Sequence, residues 1–161
     1  EVSGGDCQRS HRSCPCTLRR AQATKEMWNC VVLDYAQEQI CAVMRVIADA
    51  TAGGVLFHCE SGKDRTGLIA ALLLALADVE PNVIAHDYAM TTANLRVAYL
   101  AAHPTAQTAT LERVRCPPER VHNMLAYLAN HYGDAAEYLR HIGLSNQALR
   151  QVSRRLRTNP L

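Results

Sequence analysis

The stretch at residues 55–75, VLFHCESGKDRTGLIAALLLA, sets a thiol and a guanidinium on either side of a short polar loop, Cys59 before it and Arg65 at its end. A short apolar run leads in and a longer one follows, which predicts a strand, a tight loop and a helix. The amides of such a loop gather at a helix N-terminus, where successive N–H groups and the helix dipole bind an anion. Arg65 is placed to grip two oxygens of a phosphate in a fork. A thiol among such donors loses its proton readily; helix N-termini and cations bring cysteine pKa values to roughly 3.5–7.5. Cys59 then reads as a thiolate facing a bound phosphorus atom. A nucleotide-binding Walker loop is excluded, because Gly62-Lys63 is followed by Asp64 and no glycine stands at the required place before it.

The elements that must position this loop follow from pattern. Residues 30–35, CVVLDY, read as a strand. Over 37–52, Ile40, Cys41, Met44, Ile47 and Ala48 recur at helical spacing, and Gly53-Gly54 stop the helix. Residues 55–59 read as a buried strand and 65–77 as a buried helix. Pro81 opens a further helix over 82–90, while the alanine-rich 94–111 is ambiguous. After Pro117-Pro118, a face of Val121, Met124, Leu125 and Leu128 predicts a helix to Tyr132-Gly133. A short helix follows over 134–141, and Ser145 is the expected N-cap of a last helix carrying Leu149, Val152 and Leu156.

Composition bounds the rest. The 161 residues suit one domain, and 48% are apolar, enough for a core, mostly aliphatic since there is one Trp and one Phe. A net charge of +2 gives no reason to expect nucleic acid as a partner. Seven scattered cysteines are an odd number, which argues against a disulfide framework and for a reducing, cytoplasmic setting. The apolar stretch 68–77 is too short to span a bilayer, which takes ~20 residues. Residues 1–26 are rich in Ser, Arg and Cys and read as a poorly ordered arm before a domain over 27–161. Cys7, His11, Cys14 and Cys16 have irregular spacing for zinc, so no metal and no cofactor are expected.

The set His58, Cys59, Arg65, Thr66, with Gly62 and Gly67, resembles the signature of the cysteine-dependent protein tyrosine phosphatase superfamily. The finer form, HCESGKDRTG, resembles the tyrosine/serine phosphatase family of bacteria and fungi. HDYAMTTANL (86–95) and the segment 121–156 are similar to that family's later elements. The resemblance implies an α/β phosphatase fold, a small parallel sheet flanked by helices. It implies that Cys59 attacks phosphorus, that Arg65 and the loop Glu60, Ser61, Gly62, Lys63, Asp64 and Arg65 bind the phosphate, that His58 orients the loop, and that Thr66 eases the sulfur's departure. Asp64 is the implied general acid and Asp34 the fallback, its plainer reading being a helix N-cap. Lys63 is either a cation for more highly phosphorylated substrates or a solvated lysine at the rim. His86, Asp87 and Tyr88 either line the pocket or include a buried tyrosine with a bonded Asp.

The family's N-terminal Asn-Phe-Arg-Asp-Leu-Gly-Gly type segment and its strands have no counterpart here, so the chain reads as a shortened form. The expected function is a cysteine-dependent phosphatase acting on phosphotyrosine, with phosphoserine/threonine and phosphoinositides as further substrates. The alternatives are a truncated, non-catalytic phosphate-binding pseudo-phosphatase and an inositol-polyphosphate phosphatase.

Overall fold

The structure, a computed structural model, describes residues 27–105 and 111–157. All regular elements among them are helical: α1 (Trp28–Tyr35), α2 (Gln37–Asp49), α3 (Asp64–Leu76), α4 (Pro81–Ala102), a 3₁₀ turn (Glu112–Val114), α5 (Glu119–Tyr132), α6 (Ala135–His141) and α7 (Asn146–Arg157). The expected α/β class with a small parallel sheet is therefore corrected: the described residues contain no strand.

Both strand expectations fail for a physical reason. The run at 30–35 carries β-branched residues, but it lies in a helix whose buried side chains are Asn29, Cys30 and Leu33. That spacing of one, three and four is a helical stripe, and it lies against α5. The run at 55–59 forms no strand and has no ladder partner among the described residues. Leu56 is 90% exposed and Val55 39%, the opposite of a buried strand.

The helix expectations hold. In α2 the buried face is Ile40, Cys41, Met44, Ile47 and Ala48. The α3 helix is apolar on every side, burying Leu68, Ile69, Ala71, Leu72, Leu73 and Leu76, so it runs through the centre against α4, α6 and α7. The α4 helix starts with Pro81 at its first turn and runs well past residue 90 into the alanine-rich segment. Its buried residues, Ile84, Ala85 and Tyr88, all lie in the first half. Alanine propensity carries the remainder to Ala102, just before Pro104.

In α5, Val121, Met124 and Leu128 face the core, and Gly133 ends the helix at φ +95°, a conformation that favours glycine. The Asp134 carboxylate caps α6 by accepting from the Glu137 amide at 2.7 Å. The Ser145 hydroxyl accepts from the Ala148 amide at 3.1 Å, as its N-cap position predicts. Leu149 and Val152 are buried, while Leu156 remains 38% exposed. Tyr138, fully buried, donates its hydroxyl to the Leu33 carbonyl at 2.8 Å and so ties α6 to α1.

Candidate active site

The loop between the extended segment and α3 turns at Gly62, whose φ of +66° lies in the left-handed region. Partial burial pushes the Cys59 thiol up, but the side chain and amide of Thr66 and the amides of Gly62 and Lys63 outweigh it and bring the thiol from 9.0 down to about 6. The Thr66 hydroxyl is buried and has no hydrogen-bond partner among the described residues, so its effect on the thiol is that of a nearby dipole. Cys59 is half-buried and unpaired with another cysteine, a thiol that approaching reagents can reach.

Around the sulfur the loop residues divide into two groups. Glu60, Ser61 and Arg65 are exposed. Arg65 has no hydrogen-bond or ion-pair partner among the described residues, and it stands in the first turn of α3 beside the loop amides. His58 is exposed, with Nδ1–H donating to the Cys59 carbonyl at 2.9 Å, a contact that stiffens the entry to the loop. Lys63 and Asp64 are instead tied to other elements. Lys63 is buried, and its ammonium donates to the Arg113 carbonyl of the 3₁₀ turn at 2.7 Å, so it is not solvated at the rim. The Asp64 carboxylate accepts from the Arg120 guanidinium, Nη1 to Oδ1 at 2.8 Å, and among the described residues its second oxygen has no hydrogen-bond partner. The same Nη1 lies 3.4 Å from the Tyr88 hydroxyl.

Asp34 sits elsewhere. It lies near the end of α1 and not at a helix start, and its carboxylate accepts from Tyr127 at 2.8 and 2.9 Å and from Tyr132 at 3.4 Å. Burial first, and then the Asp34 carboxylate, push the Tyr127 phenol well up. Of the 86–88 trio, His86 and Asp87 are exposed and Tyr88 is buried, bonded to Arg120. The Cys7, His11, Cys14 and Cys16 cluster lies outside the described residues.

Arg120 is the residue that sequence reasoning missed. It stands in the first turn of α5, where a cation opposes the helix dipole. That local conflict is the signal that could have found it, since a misplaced charge asks for a partner elsewhere. A groove of about 920 Å³ opens beside Ile47, Val55, Phe57, Leu73 and Val152, and no residue from 58 to 66 lines it. That groove is therefore separate from the Cys59 loop. None of the described helices is long and apolar enough to cross a membrane.

The arrangement can hold a dianion over a thiolate, with amides and a guanidinium around it. Comparison with known proteins gives the family. A sequence model described as a tyrosine phosphatase family matches residues 9–158. A protein of Nostoc commune named tyrosine-protein phosphatase is 38% identical over 138 residues, which are 77% of this chain and 46% of that protein. The triple specificity protein phosphatase PtpB of Mycobacterium tuberculosis is 46% identical over 48 residues, 29% of this chain and 17% of that protein. The chain spans less than half the length of the curated relatives it matches. No solved structure matches.

Proposed function

The chain belongs to the tyrosine phosphatase family, and from that premise we propose that it hydrolyses phosphotyrosine esters through a cysteinyl-phosphate. The observation that carries this reading is the half-buried, unpaired Cys59 ahead of the Gly62 turn, with the exposed Arg65 following in the first turn of α3; the neighbouring amides and Thr66 lower its thiol to about 6. The thiolate attacks phosphorus and displaces the tyrosyl oxygen, forming an S–P bond as the P–O bond breaks. Asp64 delivers the proton that the departing oxygen takes up, through the carboxyl oxygen that Arg120 leaves unbound. Arg65 and the amides of residues 60–65 hold the equatorial oxygens while charge redistributes. Water then attacks phosphorus while the Asp64 carboxylate left by the first step takes one of its protons, so that the S–P bond breaks to give inorganic phosphate and the thiolate, with Thr66 beside the departing sulfur.

Asp64 is favoured over Asp34 as the acid because the Asp34 carboxylate is occupied by two tyrosines. The direction of Lys63 favours substrates with one phosphate over inositol polyphosphates, since its ammonium is bonded to Arg113 and Arg65 is the loop cation facing solvent. Phosphoserine and phosphothreonine peptides share that single phosphate and are expected as slower substrates.

The test is hydrolysis of aryl phosphates by the purified chain beside Cys59→Ser and Asp64→Asn. The serine variant should lose turnover by more than about a thousandfold. The asparagine variant should slow poor leaving groups more than good ones. Turnover that survives in Cys59→Ser would sink the thiolate mechanism, and equal slowing of all leaving groups would move the acid to another group.

A further inference from the structure

We propose that Arg120 is a positioning residue for the phosphate loop: by clamping Asp64 at the first turn of α3, it holds the loop in the shape in which its amides meet at Cys59. The inference rests on the reading of Cys59 as the nucleophile.

The placement of Arg120 has no local explanation. Its side chain is 10% exposed, in the wrong turn of α5 for a cation, and its Nε–H has no partner. Burying a guanidinium is costly unless it is paired, so the pair with Asp64 and the contact with Tyr88 are what keep it there. Those contacts meet α3 on one face. Asp64 and Gly67 are three residues apart and lie side by side on the helix. Arg120 holds the first. Tyr88 packs on the second so closely that a Cβ there would fall 2.7 Å from its ring carbons. A third tie, Lys63 to the Arg113 carbonyl, holds the residue just before α3.

Of the groups that lower the Cys59 thiol, Lys63 and Thr66 belong to this clamped stretch and Gly62 directly precedes it. The Lys63 amide is the N–H of a tied residue, and Thr66 lies between Asp64 and Gly67. The residues left exposed, Glu60, Ser61 and Arg65, are those facing a substrate. Lys63 and Asp64 thus anchor the loop from behind while Arg65 presents to the front.

The test is the pH midpoint for alkylation of Cys59 by iodoacetamide, resolved by peptide mass spectrometry from the other cysteines, in the full chain and in Arg120→Met, Asp64→Ala and the double variant. The charged groups around the sulfur are His58, Glu60, Lys63, Asp64 and Arg65 of the loop and α3, with Tyr88 and Arg120 behind them. Electrostatics and positioning then give opposite signs for Asp64→Ala. Loss of a nearby negative charge alone lowers the thiol midpoint, whereas a loosened loop loses donors and raises it. The expected result is a rise of about one pH unit or more in each single variant, with the double variant no higher than either. A midpoint in Asp64→Ala that falls or stays put overturns the clamp while leaving the thiolate reading intact. Should Arg120→Met not fold, Asp64→Ala alone decides. A midpoint near 9 in the unaltered chain overturns the thiolate reading and the clamp with it.

Discussion

At the scale of residues, the sulfur of Cys59 depends on one side chain as well as on backbone. Thr66 lowers the thiol through both its side chain and its amide. A hydrogen bond to a charged group is worth about 1.5–3 kcal/mol, which is one to two pH units of a thiol midpoint. Thr66→Val keeps the shape and removes the hydroxyl. Its alkylation midpoint should rise from about 6 toward the ordinary thiol range, and the cysteinyl-phosphate should break down more slowly, visible as a larger burst ahead of a slower steady state. An unchanged midpoint would assign the low thiol to the amides alone. That Cys59, Arg65 and Thr66 lie together was legible in the sequence because all three stand in one short stretch. The partners of Lys63 and Asp64 were not, since Arg113 lies 50 residues from one and Arg120 lies 56 from the other. No local spacing encodes such contacts.

At the scale of elements, the close approach of α3 and α4 is written at Gly67. Tyr88 is 3% exposed, so its ring has little room to retreat from an added methyl. Gly67→Ala should cost about 1–3 kcal/mol by overpacking, lowering Tm by several degrees, and should disturb the contact from Tyr88 to Arg120. In a Tyr88→Leu background the same substitution should cost much less, and equal costs in both backgrounds would place the strain elsewhere. The helices were readable because each carries a stripe of the right period: Ile40, Cys41, Met44, Ile47 and Ala48 in α2, or Val121, Met124 and Leu128 in α5. The two short apolar runs were not. A run of four to six apolar residues fits a buried strand or one face of a helix equally well. Tertiary contact decided between them, giving the first run a helical face against α5 and leaving the second without a ladder partner among the described residues.

At the scale of the whole molecule, the shifted groups make folding stability a function of pH, with opposite signs on the two sides of about pH 9. Cys59 has its folded value lowered from 9.0 to about 6, so its contribution is present above pH 9 and is lost as pH falls through about 6. Between those limits the folded chain binds fewer protons than the unfolded one, and stability rises with pH. Burial moves the other shifted groups the opposite way. Cys30 is raised from 9.0 to about 11, Tyr88 from 10.0 to about 12, and Cys116, Tyr127, Tyr132 and Tyr138 are also raised. Their contributions are present below pH 9 to 10 and are lost as pH rises through the folded values. These two sets overlap little, so Tm should climb from pH 6 to about 9 and fall beyond it. Cys59→Ser should flatten the climb and leave the alkaline fall in place, because the raised groups lie in α1, α4, α5 and α6 or, for Cys116, between the 3₁₀ turn and α5, outside the loop. Thermal melts of both chains at intervals across pH 6–11 would decide it. A climb that persists in the serine variant would mean that a group other than the loop thiol governs the neutral range.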